Sequence, residues 1–172
     1  MTRDAATLVR YPAADWDGAP IDSVAKERAN MQHWLLEKNI VDLCLAHGVA
    51  PLTNRHIDLL MRSGRTSVVF EVKACAPFDI AGPLRRAVCQ LLEYRYLYRD
   101  DLGSDLRLCV VIERRPRASY EWLMGYLEHL RIGIIWKNDG DKELSCSDFT
   151  KRLLADVLPL IEGWKARPVL WK

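Results

Sequence analysis

The stretch from Ile57 to Lys73 restricts the fold more than any other. Two runs rich in β-branched and large apolar residues, Ile57-Asp58-Leu59-Leu60-Met61 and Ser67-Val68-Val69-Phe70-Glu71-Val72-Lys73, flank Arg62-Ser63-Gly64-Arg65-Thr66. That is the pattern of a β-hairpin. A two-residue loop opening with glycine suits a type II′ turn, whose first position needs a positive φ. With Gly64-Arg65 at the tip the register is fixed. Ile57 faces Val72, Leu59 faces Phe70 and Met61 faces Val68, so this side is apolar and belongs in the core. The other side opposes His56 to Lys73, Asp58 to Glu71, Leu60 to Val69 and Arg62 to Ser67, because directly opposed residues share a face.

The pair Asp58 and Glu71 then needs an explanation. Like charges facing each other across a ladder destabilise it by a few tenths of a kcal/mol or more. Lys73, two residues beyond Glu71 on the same face, offsets part of this. A divalent cation bridging both carboxylates offsets more, and hard oxygen ligands from one or two carboxylates are what Mg²⁺ accepts. The spacing therefore predicts a metal site. The competing reading is a solvated charge cluster on a wet hairpin face. The apolar neighbours Leu60, Val69 and Phe70 weigh against it, since charges are rarely buried without partners.

The rest of the chain places this hairpin in an α/β domain. Asp22 or Ser23 can cap a long helix running to about His47, with Val24, Met31, Leu35, Leu36, Ile40, Leu43 and Cys44 at three-and-four spacing and Gly48 as its C′ residue. Gly82-Pro83 opens a second helix, with Pro at the first helical position, ending near Asp100. Leu106 to Glu113 has the continuous apolar character of a strand covered on both faces. Ser119 can cap a third helix carrying Trp122, Leu123, Tyr126, Leu127 and Leu130, which leads into the strand Ile132 to Trp136. The aromatic residues Trp122, Tyr126 and Trp136 read as core. A turn at Asn138-Asp139-Gly140, a strand from Glu143 to Cys146, and a helix from about Asp148 to Trp164, bent at Pro159, complete the order α-β-β-α-β-α-β-β-α. Residues 1–22, with Pro12, Gly18 and Pro20 and no period, read as an N-terminal arm, and residues 23–172 as a single domain. A chain of 172 residues can bury roughly two thirds of its unfolded surface around one core.

Charge and cysteine content exclude several classes. A net charge of +2 from 25 basic and 23 acidic residues lacks the strong basic excess of a protein that coats nucleic acid unselectively. Five widely spaced cysteines without a C-x-x-C pair argue against a disulfide scaffold or a cysteine zinc site, and for a reducing cytoplasm. His33, His47, His56 and His129 share no H-x-x-x-H spacing, which disfavours zinc; only His56, opposite Lys73, is expected near the site. Neither a signal peptide nor a run of ~20 apolar residues occurs, so no membrane association is expected. No Gly-rich phosphate loop is present, which leaves a small-molecule enzyme using Glu71 and Lys73 as an acid/base pair as a minor option.

Taken together, Ile57-Asp58, a short hairpin, Glu71-Val72-Lys73 and a following helix bearing Gln90-Leu91-Leu92-Glu93-Tyr94 resemble the PD-(D/E)XK nuclease superfamily over about residues 24 to 136. The resemblance implies a restriction-endonuclease-like mixed β-sheet flanked by helices. It implies a cytoplasmic nuclease that hydrolyses DNA phosphodiester bonds in restriction, phage defence or repair, with Mg²⁺, or Mn²⁺ as its substitute. Asp58 and Glu71 would hold the metal, joined by the Val72 carbonyl and by a glutamate of the first helix, Glu27 first and Glu37 second. Lys73 would orient or deprotonate the attacking water, while Gln90 and Tyr94 support Lys73 or contact the phosphodiester. Ile57 stands where the family has proline, and the first core strand is shortened around Val49 to Asn54. Arg85 and Arg86 at a helix start, and Arg114, Arg115 and Arg117 after a strand, are candidates for nucleic-acid phosphates. No separate recognition element is present, so a homodimer or a partner subunit is expected to supply specificity. The alternative is a catalytically silent nuclease-fold module that docks DNA or a subunit.

Overall fold

The computed structural model describes residues 9–10, 23–75, 79–138, 143–159 and 164–165. Its centre is the expected hairpin, β3 (Leu59–Ser63) and β4 (Thr66–Lys73). The observed pairs Leu59↔Phe70, Leu60↔Val69, Met61↔Val68 and Arg62↔Ser67 are those of the Gly64-Arg65 register. Gly64 has φ +59° while Arg65 stays at negative φ, which is the II′ pattern.

From this hairpin the sheet extends in chain order. β4 runs parallel to β5 (Asp105–Ile112), and β5 runs parallel to β6 (Ile132–Lys137). β7 (Glu143–Cys146) returns antiparallel beside β6. Three two-residue strands extend the edges: β1 (Val9–Arg10) and β2 (Leu52–Thr53) beside β3, and β8 (Trp164–Lys165) beside β7. Helix α1 (Ser23–Ala46) lies between β1 and β2, α2 (Ala81–Leu97) and α3 (Trp122–His129) are the crossovers between the parallel strands, and α4 (Asp148–Leu154) follows β7.

Parallel neighbours need crossover connections, and crossovers of one hand stepping in one direction fall on one face of the sheet. Accordingly Leu84, Ala87, Val88 and Leu91 of α2 and Leu123 and Leu127 of α3 share a core with Leu60, Val69, Leu108, Val110 and Ile134. The opposite face packs Leu36, Ile40 and Leu43 of α1 and Leu154 of α4 against Leu59, Met61, Val68, Phe70, Val72, Val111 and Ile135. Helices cover both faces of β4, which is why every residue from Thr66 to Val72 is buried and why the strand reads as a nearly continuous apolar run. The face carrying Leu60 and Val69 is therefore covered as well, with its charged residues at the two ends, Arg62 near the turn and Asp58, Glu71 and Lys73 at the open end. In β6, a Cβ on Gly133 would lie 2.8 Å from Cys109 Sγ and 3.1 Å from Thr150 Cγ2. The missing side chain lets α4 approach until Thr150 Oγ1 accepts from the Ile134 N–H at 2.7 Å and donates to its carbonyl at 3.2 Å.

Several expectations are corrected. Asn54 Oδ1 accepts the N–H groups of both His56 and Ile57 at 2.8 Å, an Asx turn that keeps residues 54–57 out of the ladder. His56 is exposed beside Arg55, not opposite Lys73. Ile57 packs with Leu60 and Val69, not with Val72. Pro83 is the third residue of α2, not the first. Ser119 sits in a 3₁₀ turn (Ala118–Tyr120) ahead of α3. Trp122 and Tyr126 are exposed, at 54% and 41%, because the eight-residue α3 buries the stripe of Leu123 and Leu127 instead; Trp136 is buried as expected. The last helix stops at Leu154, and Trp164 lies in a strand. Val9–Arg10, inside the segment read as an arm, pairs with β2. The turn residues Asp139 and Gly140 lie outside the described residues. Among the described residues no helix is long and apolar enough to cross a membrane.

Candidate metal centre

Acidic groups gather at the open end of the β3–β4 hairpin. The ladder stops at Leu59, so Asp58 has no backbone pairing of its own. Its Oδ2 instead accepts the Val72 N–H at 2.8 Å, a side-chain oxygen continuing the pairing in place of a carbonyl. This bond holds Asp58 close enough for its charge to act on Glu71.

Glu71 is 1% exposed. Its Oε1 accepts from Lys73 Nζ, and its Oε2 is buried with no hydrogen-bond partner. Burial, and then the charge of Asp58, outweigh the Lys73 ammonium and push the Glu71 carboxyl up to about 7. An orphaned carboxylate oxygen in such a place costs on the order of 1–3 kcal/mol until something binds it.

Helix α1 brings the next two groups. His33 and Glu37, one turn apart, face each other with Nδ1–Oε1 3.4 Å, and His33 Nε2 lies 3.6 Å from Asp58 Oδ2. One ligand atom from each of His33, Glu37 and Asp58 falls within 4.8 Å of the others. Burial lowers the His33 pKa, but the close carboxylate of Asp58 and the charge of Glu37 outweigh it, and the net shift is upward. From the opposite face α2 contributes Tyr94, 6% exposed, whose hydroxyl accepts from Gln90 Nε2 at 3.3 Å. Burial, and then the charge of Glu71, raise the Tyr94 pKa.

Three carboxylates, one lysine and one histidine thus lie at this end of the hairpin, with His33, Glu37 and Asp58 as the compact group and Glu71 beside it, so the site carries excess negative charge when its acids are ionised. Oxygen donors with one imidazole suit a divalent cation such as Mg²⁺ or Mn²⁺, the nitrogen favouring the transition metal. Asp58, Glu71 and Lys73, which the hairpin register placed together, lie at one end of the hairpin, and Gln90 and Tyr94, which the resemblance implied, lie beside them on α2. Val72 contributes its N–H, which Asp58 holds.

Glu27 is not brought to this group. It is exposed on α1, ten positions before Glu37, roughly 15 Å along the helix axis; Glu37 occupies the place given to it first. His33 was missed, although His33-x-x-x-Glu37 is an i, i+4 pair that points both side chains the same way. Arg85, Arg86, Arg115 and Arg117 are exposed and Arg114 is half-buried. The Arg115 guanidinium lies 5.7 Å from the Trp136 ring centroid.

Comparison with protein-family models, with curated proteins and with solved structures finds no match.

Proposed function

We propose that this chain is a metal-dependent nuclease of the PD-(D/E)XK superfamily, restriction-endonuclease-like in fold, that hydrolyses DNA phosphodiester bonds in restriction, phage defence or repair. The observation that carries the reading is the buried, unpartnered Oε2 of Glu71 beside the cluster of His33, Glu37 and Asp58. An acidic surface network has no reason to bury a carboxylate oxygen without a donor. Mg²⁺ or Mn²⁺ would be held by Asp58, Glu71 and either or both of His33 and Glu37. When bound, the cation makes water a stronger acid and stabilises charge on the phosphoryl oxygens.

The remaining steps fall to this chain. Lys73, fixed by its bond to Glu71, directs the attacking water toward phosphorus and stabilises the negative charge that develops there. As the new P–O bond forms and the leaving P–O bond breaks, the attacking water gives its proton to solvent and the leaving oxygen takes one from solvent. Tyr94, within reach of the Glu71 charge, and Gln90, which donates to the Tyr94 hydroxyl, support Lys73 or contact the phosphodiester. A second copy or a partner subunit supplies sequence choice.

The test is cleavage of plasmid and linear DNA in Mg²⁺ or Mn²⁺, abolished by EDTA and by Asp58→Asn. Wild type and Asp58→Asn behaving alike on every DNA and RNA substrate would refute the proposal.

A further inference from the structure

A second charged group stands beside the carboxylates at the same end of the central strands. Lys73, the last residue of β4, is paired with Ile112, the last residue of β5, and Glu113 follows one step of about 3.3 Å further on. Glu113 is buried to nine-tenths, its side chain 9% exposed. Its Oε1 accepts from Arg28 of α1 at 2.8 Å and from Arg114 at 3.2 Å. Its Oε2 and the Arg114 Nε are buried without partners.

The charges in this group do not balance. Two guanidinium groups share one carboxylate, and neither has another acidic partner among the described residues. Each guanidinium carries five N–H donors in a planar fork, of which Glu113 engages one. Arg28 leaves 46% and Arg114 27% of the side chain accessible, so further donors remain open to an incoming group. A single carboxylate holding two arginines side by side pre-orients them, and two oriented forks match the oxygens of a phosphate.

We propose that Arg28 and Arg114, positioned by Glu113, form a phosphate clamp that holds the nucleic-acid backbone next to the metal-binding carboxylates. The inference rests on the nuclease reading and deepens it. Arg28 and Arg114 bind the backbone; Glu113 is a positioning residue, its Oε1 bonded to both arginines. The placement is economical, because α1 carries both Arg28 and the pair His33 and Glu37. One helix therefore sets the distance between the clamp and the metal.

The test is equilibrium binding of a short DNA duplex in EDTA, where no cleavage occurs, across a range of salt concentrations. Arg28→Gln and Arg114→Gln should each weaken binding about 5- to 10-fold at ~0.1 M salt and reduce the slope of log K against log salt by about 0.9. Their Mn²⁺ affinity, measured by calorimetry, should equal that of wild type. Glu113→Gln, which keeps an oxygen acceptor, should retain binding, whereas Glu113→Leu should lose it while melting as a folded protein. If Glu113→Leu does not fold, the two arginine variants decide alone. Wild-type salt slopes in both arginine variants would overturn the clamp and leave the metal site standing. Failure of wild type to bind DNA, with Mn²⁺ binding intact, would remove the nuclease reading itself. A deoxynucleoside monophosphate that displaces the duplex at micromolar concentration would assign the pair to a small phosphate ligand and overturn the backbone assignment.

Discussion

Glu71 makes the metal-free protein weaken as pH rises, a direction opposite to that of an ordinary paired carboxylate. Its pKa rises from 4.5 to about 7 in the folded state. Between those values the native carboxyl keeps a proton that the unfolded chain has released. Stability therefore falls with increasing pH across that window and the loss is complete above about 7. The full shift is worth about 3 kcal/mol, which for a chain of this size is on the order of 10 °C in Tm. His33, whose pKa is also raised, adds in the same direction, since its contribution is present below 6.5 and is lost as pH passes its folded value. Asp105 and Asp156, both lowered by hydrogen bonds from Arg107, contribute at all pH values above the normal carboxylate range and do not alter the slope.

The assay is urea unfolding in EDTA at pH 5, 6, 7 and 8, with Glu71→Gln as the comparison. Glutamine imitates the protonated acid and does not titrate, so subtracting the two curves isolates Glu71. Wild type and Glu71→Gln should lie within about 1 kcal/mol at pH 5 and separate to about 3 kcal/mol at pH 8, the variant being the more stable. Adding Mn²⁺ should reverse the wild-type trend, because ligation requires the deprotonated acid, and stabilisation reaches about 2.7 kcal/mol at a hundred times Kd. Parallel wild-type and variant curves from pH 5 to 8 in EDTA would refute the account of Glu71.

Asp58→Asn keeps an oxygen for the Val72 N–H and should melt near wild type in EDTA, whereas Asp58→Ala leaves that buried donor unpaired and should lose about 1–3 kcal/mol; both should abolish DNA cleavage. Lys73→Ala should retain calorimetric Mn²⁺ binding yet lose turnover, because lysine acts on water and developing charge and is no ligand. His33→Ala should weaken Mn²⁺ more than Mg²⁺, which calorimetry with each ion resolves, since imidazole suits the transition metal better. Gly133→Val should cost several kcal/mol in urea unfolding, because its side chain would collide with Cys109 Sγ and Thr150 and force α4 off β6.

The hairpin was legible because its turn chemistry and its apolar alternation agree on one register, and that register carried Asp58 and Glu71 to the same end. Alternation alone could not show where the ladder stops. Asn54 captures two N–H groups and turns the chain, which displaces His56 and moves Ile57 to the other core. The two crossover helices were readable from the βαβ rhythm. The first helix was readable as a helix, but which of its turns meets Asp58 depends on how it lies across the sheet. Periodicity gives no such distance, hence Glu27 in place of Glu37 and the omission of His33. Trp122 and Tyr126 have helical spacing, but spacing specifies a stripe and not which stripe is buried.

The candidate site draws on four separated segments: residues 33–37 of α1, Asp58, residues 71–73 of β4 and residues 90–94 of α2. The first two exist on a growing chain well before the last, and β4 is sealed on its far side only by β5, which ends at Ile112. A ribosome-bound fragment that stops short of β5 carries Asp58, Glu71 and Lys73 but has no closed core to hold them. Synthesis proceeds at roughly 5–20 residues per second, so a site assembled in this way stays unformed for the seconds between the emergence of its acids and the arrival of the strand that confines them.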